Sequence, residues 1–344
     1  MPAGDERDAT GSPWSDTPLV EQAGLPFFGQ GPQIGAMSAG TDHPGAGATP
    51  EGGDVASSGG MFLQIVRVFR ERKMAVAGLA VIALMILFCW LGPVFYHTNQ
   101  TNAQQALVSN TPSNSPPSAQ NPLGTDNAGF DVLGRLMFGG KNSLLVGLAA
   151  AVLGTTFGAL YGAISGFFGG WIDALMMRIV DTLLSIPFLF LLIVLAVIFH
   201  PSVIVLILII ALVSWLIPAR LIRGETLTLR VREYVQAVRA MGGTRRRIVL
   251  RHIVPNAIGT IVVNATFQVA DAILLLAALG FLGLGVQPPQ TDWGTMLTYG
   301  ITDITANYWW QIYPAGIAIV LVVVAFNFVG DALRDSLEVR LQQR

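Results

Sequence analysis

The sequence predicts an all-α polytopic membrane protein with six transmembrane helices, and three observations support this fold class. Hydrophobic residues make up 52% of the chain and charged residues only 12%, whereas average soluble chains have about 25% charged residues. Apolar runs long enough to cross a bilayer recur along the sequence. Arginine and lysine cluster in some of the segments between these runs and are missing from others, which is the pattern of an oriented membrane protein.

Six stretches are long enough to be membrane spans, because a helix that crosses the hydrocarbon core needs about 20 mostly apolar residues. The third and fourth stretches form one long apolar region that His200 and Pro201 divide. The predicted spans are residues 74–96, 142–168, 174–198, 203–222, 257–284 and 312–333.

The basic residues predict the orientation of these spans. Nine arginines lie between positions 220 and 251, residues 286–311 contain no Lys or Arg, and only Arg135 and Lys141 fall on the opposite side. Both termini and the arginine-rich loop are therefore expected in the cytoplasm. An external aromatic belt is expected from Trp293, Tyr299, Tyr308, Trp309, Trp310 and Tyr313.

Composition divides the chain into four segments. Residues 1–60 hold eight acidic residues and one Arg, are rich in small residues and proline, and are predicted to be a disordered acidic cytoplasmic tail. Residues 61–96 contain the first span, residues 97–141 form an external segment, and residues 142–344 hold the other five spans. Cys89 is the only cysteine, which excludes an intrachain disulfide and a thiolate metal site.

The most informative polar segment is residues 220–256, which carry nine arginines against two acids. Apolar residues recur at helical spacing between positions 231 and 241. Gly242 and Gly243 end this helix, and a second basic and apolar segment continues to Pro255. A helix–glycine–helix segment between membrane spans predicts a docking surface for a cytoplasmic partner.

This segment resembles the cytoplasmic EAA loop of bacterial ABC importer permeases, whose pattern is E-A-A, three residues, G, nine residues and I-x-L-P. The matching residues are Gln236-Ala237-Val238, Gly242 and His252-Ile253-Val254-Pro255, with Gln236, Val238, His252 and Val254 departing from the pattern. Three further blocks resemble the C-type subunit of the oligopeptide, dipeptide and nickel branch of this family. They are residues 121–135, in which Phe130 replaces the usual Arg, residues 280–294 and residues 325–334.

The resemblance, which covers residues 61–344, implies the type I ABC importer permease fold and a bacterial plasma membrane location. It implies a non-catalytic subunit that couples ATP hydrolysis to the import of dipeptides or oligopeptides, with nickel or a metal chelate as the alternative substrate. The implied partners are a second permease subunit, two ATP-binding cassette ATPase subunits, an external substrate-binding protein and membrane lipid, without nucleic acid. This chain is expected to bind no metal and no cofactor, since ATP and Mg²⁺ belong to the ATPases.

The coupling loop implied by this resemblance is residues 223–255. The residues expected to form its contact with the ATPase are Glu233, Tyr234, Ala237, Val238, Met241, Gly242, Arg245 and Pro255.

Span two carries a glycine at every fourth position, at Gly154, Gly158, Gly162 and Gly166. Small residues at this spacing form one smooth helix face that lets another backbone approach closely. The face is predicted to pack either against another span of this chain or against the partner permease, and the sequence favours neither. A short turn before span three is expected at residues 166–170.

Polar residues within the spans are candidates for function. Asp271 lies near the middle of span five, and Asn264 and Gln268 share its helix face. This face is predicted to line the translocation path or the interface with the partner permease. In span three, the spacing of Arg178 and Asp181 predicts an ion pair.

Two other functional classes fit the sequence less well. Residues 163–166 resemble the nucleophile motif of intramembrane serine proteases, with His200 or His252 as the base. An autonomous secondary transporter needs no basic docking loop and usually shows inverted repeats, which the sequence lacks. No P-loop is present, because residues 139–142 (GGKN) break the spacing that such a loop requires.

Overall fold

The computed structural model describes residues 71–100, 112–302 and 306–342. Within these ranges the chain is helical, and its one β feature is an isolated bridge between Thr125 and Asp131. Four helices are long and apolar enough to cross a membrane, and two bent helix pairs bring the number to six if each pair is one span. The all-α polytopic fold is confirmed, whereas the predicted tail at residues 1–60 lies outside the described residues.

The principal helices are numbered α1 to α10 in chain order. They are α1 (Lys73–Phe95), α2 (Val132–Phe168), α3 (Gly170–Leu184), α4 (Phe188–Phe199), α5 (Val203–Ser214), α6 (Leu216–Leu229), α7 (Glu233–Ala240), α8 (Ile258–Phe281), α9 (Trp293–Thr302) and α10 (Trp309–Gln342). Between α7 and α8, residues 245–256 form the elbow. It consists of a helical turn at Arg245–Ile248, a π-helical turn at Val249–Ile253 and a short turn at Val254–Asn256.

Helix α2 is the centre of the fold and contacts α1, α5, α6 and α8. It begins at Val132, so residues 132–141, in the predicted external segment, are the helical lead-in to span two. Asp131 sets the start, because its carboxylate accepts the Gly134 N–H at 2.7 Å as an N-cap. No residue between Val132 and Asn142 then interrupts the helix, although Arg135 and Lys141 in its first turns led the sequence analysis to begin the span at residue 142.

The third span is not one straight helix. α3 and α4 meet at 82° across residues 185–187. Pro187 lacks an N–H and disfavours helical geometry at Ile186, while the Ser185 hydroxyl donates to the Thr182 carbonyl at 2.6 Å. The prediction of one continuous span at 174–198 was wrong, because the hydropathy of a segment does not show whether a proline bends the helix.

The fourth span is also bent, by 41°, where α5 meets α6 at Trp215. In an unbroken helix the N–H of residue 218 would donate to the Ser214 carbonyl, but Pro218 has no N–H. The side-chain amide of Gln268, on α8, donates to that carbonyl at 2.9 Å. Within a membrane, a freed backbone carbonyl needs such a partner from a neighbouring helix, so Gln268 ties the bend to α8.

The glycine face of α2 packs within this chain, against the end of α5 and along α6. A Cβ on Gly158 would lie 2.8 Å from the Pro218 Cβ, and a Cβ on Gly166 would lie 2.8 Å from the Arg223 carbonyl. Of the two partners that the sequence left open, these contacts identify a span of the same chain. The predicted turn before span three falls at Gly169, whose φ of +66° lies in the left-handed region.

Two residues of the predicted aromatic belt are instead buried. Trp293 is fully buried and its indole N–H donates to the Leu136 carbonyl at 3.0 Å. Trp310 is 7% exposed and donates to the Thr125 carbonyl at 3.2 Å. The belt prediction was wrong for both, because an indole whose N–H finds a partner also serves as a core residue. Tyr313, by contrast, is 61% exposed.

Gly162→Val is expected to disrupt the packing of α2 on α6. The added side chain meets the Ala219 carbonyl, which is a backbone atom and cannot rotate away. Overpacking of this kind costs about 1–3 kcal/mol, measured as a lower melting temperature of the purified protein in detergent. Gly224→Ala on α6 is the control, since a Cβ there has no neighbour within 4 Å. Wild-type stability of Gly162→Val would contradict the close approach.

Gln268→Leu is expected to lower the free energy of unfolding by about 1–3 kcal/mol, because it leaves the Ser214 carbonyl buried without a partner. Pro218→Ala supplies a backbone N–H for the same carbonyl, so Gln268→Leu should cost much less in that background. Thermal melts of both single variants and the double variant measure this coupling. Purely additive effects would show that the Gln268 amide does not replace the missing helix bond.

Candidate functional site

The arginine-rich loop folds as a short amphipathic helix against the ends of the spans. On the inner face of α7, Val235 is fully buried and Val238 is partly buried in a cluster with the ends of α2 and α6. On the outer face, Tyr234 is 39% exposed and Met241, just after the helix, is 78% exposed. Partial burial raises the pKa of Tyr234, against the opposing charge of Arg232, so the hydroxyl is neutral and can both donate and accept.

The predicted end of this helix at Gly242 is confirmed, and the structure shows its mechanism. Gly242 has a φ of +80°, which glycine adopts without strain. The Gly242 N–H donates to the Arg239 carbonyl at 3.1 Å, and the Gly243 N–H donates to the Val238 carbonyl at 2.9 Å. These two bonds form a Schellman C-cap, which requires a left-handed residue at this position.

The elbow returns the chain from α7 to the membrane. The Thr244 hydroxyl accepts the Arg247 N–H at 3.4 Å and caps its first turn. The π-helical turn Val249–Ile253 follows, immediately before Pro255. Helix α8 begins at Ile258, one residue after the predicted start of span five, and Pro255 lies exposed in the last turn of the elbow.

Two arginines attach this loop to the C-terminal end of α2. Arg230 Nη1 donates to the Gly166 carbonyl at 2.9 Å, and the Arg239 guanidinium lies 5.5 Å from the ring centroid of Phe167. The first contact neutralises a carbonyl at the negative end of a helix dipole, and the second is a cation–π contact. The position of α7 is therefore coupled to the position of α2.

A partly buried ion pair lies at the same end of the bundle. Arg223 on α6 forms a bidentate pair with Asp173 on α3, with Nε–Oδ1 and Nη2–Oδ2 both at 2.6 Å. The Ser165 hydroxyl on α2 donates to the same carboxylate. The sequence analysis did not predict this contact between three helices, although Asp173 is the first charged residue after a long apolar run.

The same contact argues against the protease hypothesis, in which Ser165 would be the nucleophile. Ser165 is fully buried, and its hydroxyl is bonded to Asp173. His200 caps the far end of α4, and His252 lies in the elbow. The predicted Arg178–Asp181 pair is likewise wrong, because Asp181 pairs with Arg220 at 2.5 Å.

The polar residues predicted on span five do not share one environment. Asn264 lines a cavity of about 390 Å³ near the arginine-rich ends of the spans. Gln268 is 5% exposed and faces the α5–α6 bend. Asp271 is exposed and lies nearer the C-terminal end of α8. The residues that line the cavity are Leu221, Thr260, Val263, Asn264, Phe267, Arg334 and Leu337.

The opposite end of α2 holds a second polar cluster. Arg135 lies 3.4 Å from Asp126 (Nε–Oδ2), and its guanidinium lies 5.0 Å from the ring centroid of Phe130. Burial raises the pKa of Asp126, opposed by Arg135 and by the backbone N–H groups of Phe130 and Ala128. Phe130, which replaces the arginine of the family pattern, is thus the aromatic partner of Arg135.

Two family models match the chain and together cover most of it. The family of the binding-protein-dependent transport system inner membrane component matches residues 154–343, which include the glycine face, α7 and the cavity. The N-terminal transmembrane domain of oligopeptide transport permease C matches residues 60–117.

Individual relatives agree with this assignment. The oligopeptide transport system permease protein OppC of Haemophilus influenzae is 39% identical over 79% of this chain and 86% of its own. The dipeptide transport system permease protein DppC of Bacillus subtilis is 35% identical over 80% of this chain and 85% of its own. An inward-facing structure of the MetNI methionine ABC transporter is 22% identical, with a TM-score of 0.49, over 59% of this chain and 96% of that one. The chain belongs to the family of inner membrane components of binding-protein-dependent transport systems.

Proposed function

We propose that this chain is one of two permease subunits of an ATP-driven importer of oligopeptides or dipeptides. The relatives OppC of Haemophilus influenzae and DppC of Bacillus subtilis are named as permeases for these peptides, and they match the chain over about four fifths of its length. Membership of a binding-protein-dependent family also disfavours an autonomous secondary transporter. The partners are a second permease, two ATPase subunits and an external peptide-binding protein.

The observation that carries this proposal is the two-faced geometry of α7. Its inner face is fixed by Val235 and by the contact of Arg239 with Phe167. Its outer face, with Tyr234 and Met241, stays exposed in the described part of the chain. An amphipathic helix with an unburied aromatic and methionine face suits insertion into a groove of a protein partner. The ATPase supplies that groove, together with the sites for ATP and Mg²⁺.

The coupling mechanism follows from the attachments of the loop. Closure of the ATPase subunits on ATP moves α7 and the corresponding helix of the second permease. In this chain the Arg230 and Arg239 contacts carry the movement to α2. ATP changes the conformation of the permease only if the ATPase binds α7 differently in the two states. The same coupling makes substrate delivery outside favour ATP-driven closure inside.

The orientation follows from the positive-inside rule. The nine arginines between positions 220 and 251 support an orientation in a bacterial inner membrane in which α7, the elbow and both termini face the cytoplasm. Arg135 at the other end of α2 does not oppose this orientation, because it is 4% exposed and pairs with Asp126.

The cavity beside Asn264 is the proposed cytoplasmic part of the translocation path. Its walls are mostly apolar, with Thr260, Asn264 and Arg334 as polar groups. A largely apolar surface suits peptide side chains of many kinds better than it suits the coordination of a bare ion, which favours peptides over nickel. Asp271, exposed on α8, is a second candidate lining residue.

Gly242→Trp is expected to abolish recovery of the ATPase subunits with the tagged permease while membrane insertion continues. A tryptophan cannot adopt the φ of +80° without strain, and it projects from the exposed surface. Gly242→Asn is the matched control, because asparagine tolerates left-handed geometry and should retain the ATPase. Co-purification followed by mass spectrometry and an ATPase assay is the measurement. Normal peptide uptake by Gly242→Trp would count against the coupling role of this loop.

Asn264→Trp is expected to reduce uptake of a labelled dipeptide at least tenfold, because the indole fills the cavity on the proposed path. Recovery of the ATPase subunits should remain unchanged. Val262→Trp is the control, since Val262 is 44% exposed on the same helix and does not line the cavity. Equal uptake by the two variants would place the path elsewhere.

A further inference from the structure

A groove of about 500 Å³ lies between the end of α2 and the elbow. Leu160, Ile164 and Phe168 form its wall on α2 at four-residue spacing. Two residues along an α-helix correspond to a turn of about 200°, so this row lies on the opposite side of α2 from the glycine face. Ile164 and Phe168 are each 40% exposed. The row therefore points away from the bundle.

The other wall of the groove belongs to the elbow and ends in two arginines. Val249 and Leu250 continue the apolar lining, and Leu250 is 46% exposed. Arg245 and Arg246 form the rim. The Arg245 guanidinium lies 5.4 Å from the ring centroid of Phe168, so it is held where α2 reaches its last residue. The predicted contact of Arg245 with the ATPase stays a prediction, since its described contact is within the chain.

We infer that this groove binds one anionic phospholipid of the cytoplasmic leaflet, with its phosphate between Arg245 and Arg246 and part of an acyl chain along Ile164 and Leu250. The inference rests on the cytoplasmic placement of the loop under the proposed function. No residue that lines the groove is acidic, so the positive charge of its rim is not neutralised by its own lining. Basic pockets beside transmembrane helices on the cytoplasmic side attract anionic headgroups.

The groove suits a lipid better than a protein segment, for reasons of shape and charge. Its apolar wall is continuous with the membrane-spanning part of α2, whereas its basic rim lies at the level of Phe168, the end of that helix. An apolar body below a charged end is the profile of a phospholipid at the bilayer interface. Arginine side chains also extend their apolar stems along such a surface while the guanidinium stays at the polar level.

The test compares two neighbouring arginines in the purified complex with its partner subunits. The complex is exposed to equal amounts of phosphatidylglycerol and phosphatidylcholine, and the retained lipid is measured by native mass spectrometry. Wild type and Arg247→Gln should retain phosphatidylglycerol, because Arg247 does not line the groove. Arg246→Gln should bind it about fivefold more weakly, the effect of one basic residue at an anionic lipid headgroup.

A second pair of variants tests the space inside the groove independently of the charge at its rim. Ile164→Trp and Leu250→Trp fill it from opposite walls without changing the charge, and both should lose the retained lipid. Because the two substitutions are on different elements, a folding defect in one leaves the other informative. An excess of inorganic phosphate should not displace the lipid, since phosphate lacks the acyl chain.

Three outcomes would overturn the inference. These are equal losses in Arg246→Gln and Arg247→Gln, retention of phosphatidylglycerol by both groove-filling variants, and displacement of the lipid by phosphate alone. The lipid measurement is also independent of transport. A complex that imports peptide but shows no preference for phosphatidylglycerol would overturn the lipid site only. Retention of phosphatidylglycerol by a chain that recovers no ATPase would overturn the proposed function and leave the lipid site standing.

Discussion

The close approach of two backbones, α2 against α6, is the constraint on which the rest of the structure depends. Glycines at four-residue spacing on α2 bring its surface to within van der Waals distance of the α6 backbone. Packing rather than hydrophobicity stabilises such helix pairs in a bilayer, because lipid tails solvate apolar side chains as well as a neighbouring helix does. With α2 and α6 in contact, the side chains at their ends can reach one another.

Polar contacts then lock this helix pair at the positions where the chain departs from regular helix. Gln268 bonds to the carbonyl that Pro218 leaves free. At the C-terminal end of α2, Arg223 joins α6 to Asp173 on α3, and Arg230 binds the last turn of α2 through the Gly166 carbonyl. Each contact satisfies a group that would otherwise be costly to bury. Helix α7 is therefore attached to a part of the protein that has little freedom to deform.

The sequence predicted the elements whose identity depends on local composition. Span one was predicted at 74–96 and observed at Lys73–Phe95, and the helix break at Gly242 was predicted because few other residues adopt its backbone conformation. The α3–α4 bend has a local signal in Pro187, but hydropathy averages over it. The residues predicted to contact the ATPase and to line the path stay predictions, because their partners are other molecules.

Contacts between distant segments were beyond sequence reasoning for a different physical reason. Gln268 was predicted to line the path or the interface with the partner permease because a polar side chain in a span suggests function. Its observed partner is a carbonyl that becomes available only because Pro218 lies 50 residues away in sequence and adjacent in space. Trp293 shows the same limit, since an interfacial ring and a hydrogen-bonded core ring have the same amphipathic chemistry.

The length of α2 gives the assembly a mechanical property. Its 37 residues form one uninterrupted helix, about 55 Å long at 1.5 Å per residue. Gly166 and Phe167 at one end are attached to the coupling loop, and Asp131 at the other end is bonded to the Tyr96 hydroxyl. A rigid rod of that length acts as a lever, so a tilt of about 5° displaces one end relative to the other by roughly 5 Å. A small tilt of α2 therefore becomes an ångström-scale displacement between its two ends without any change in the helix itself.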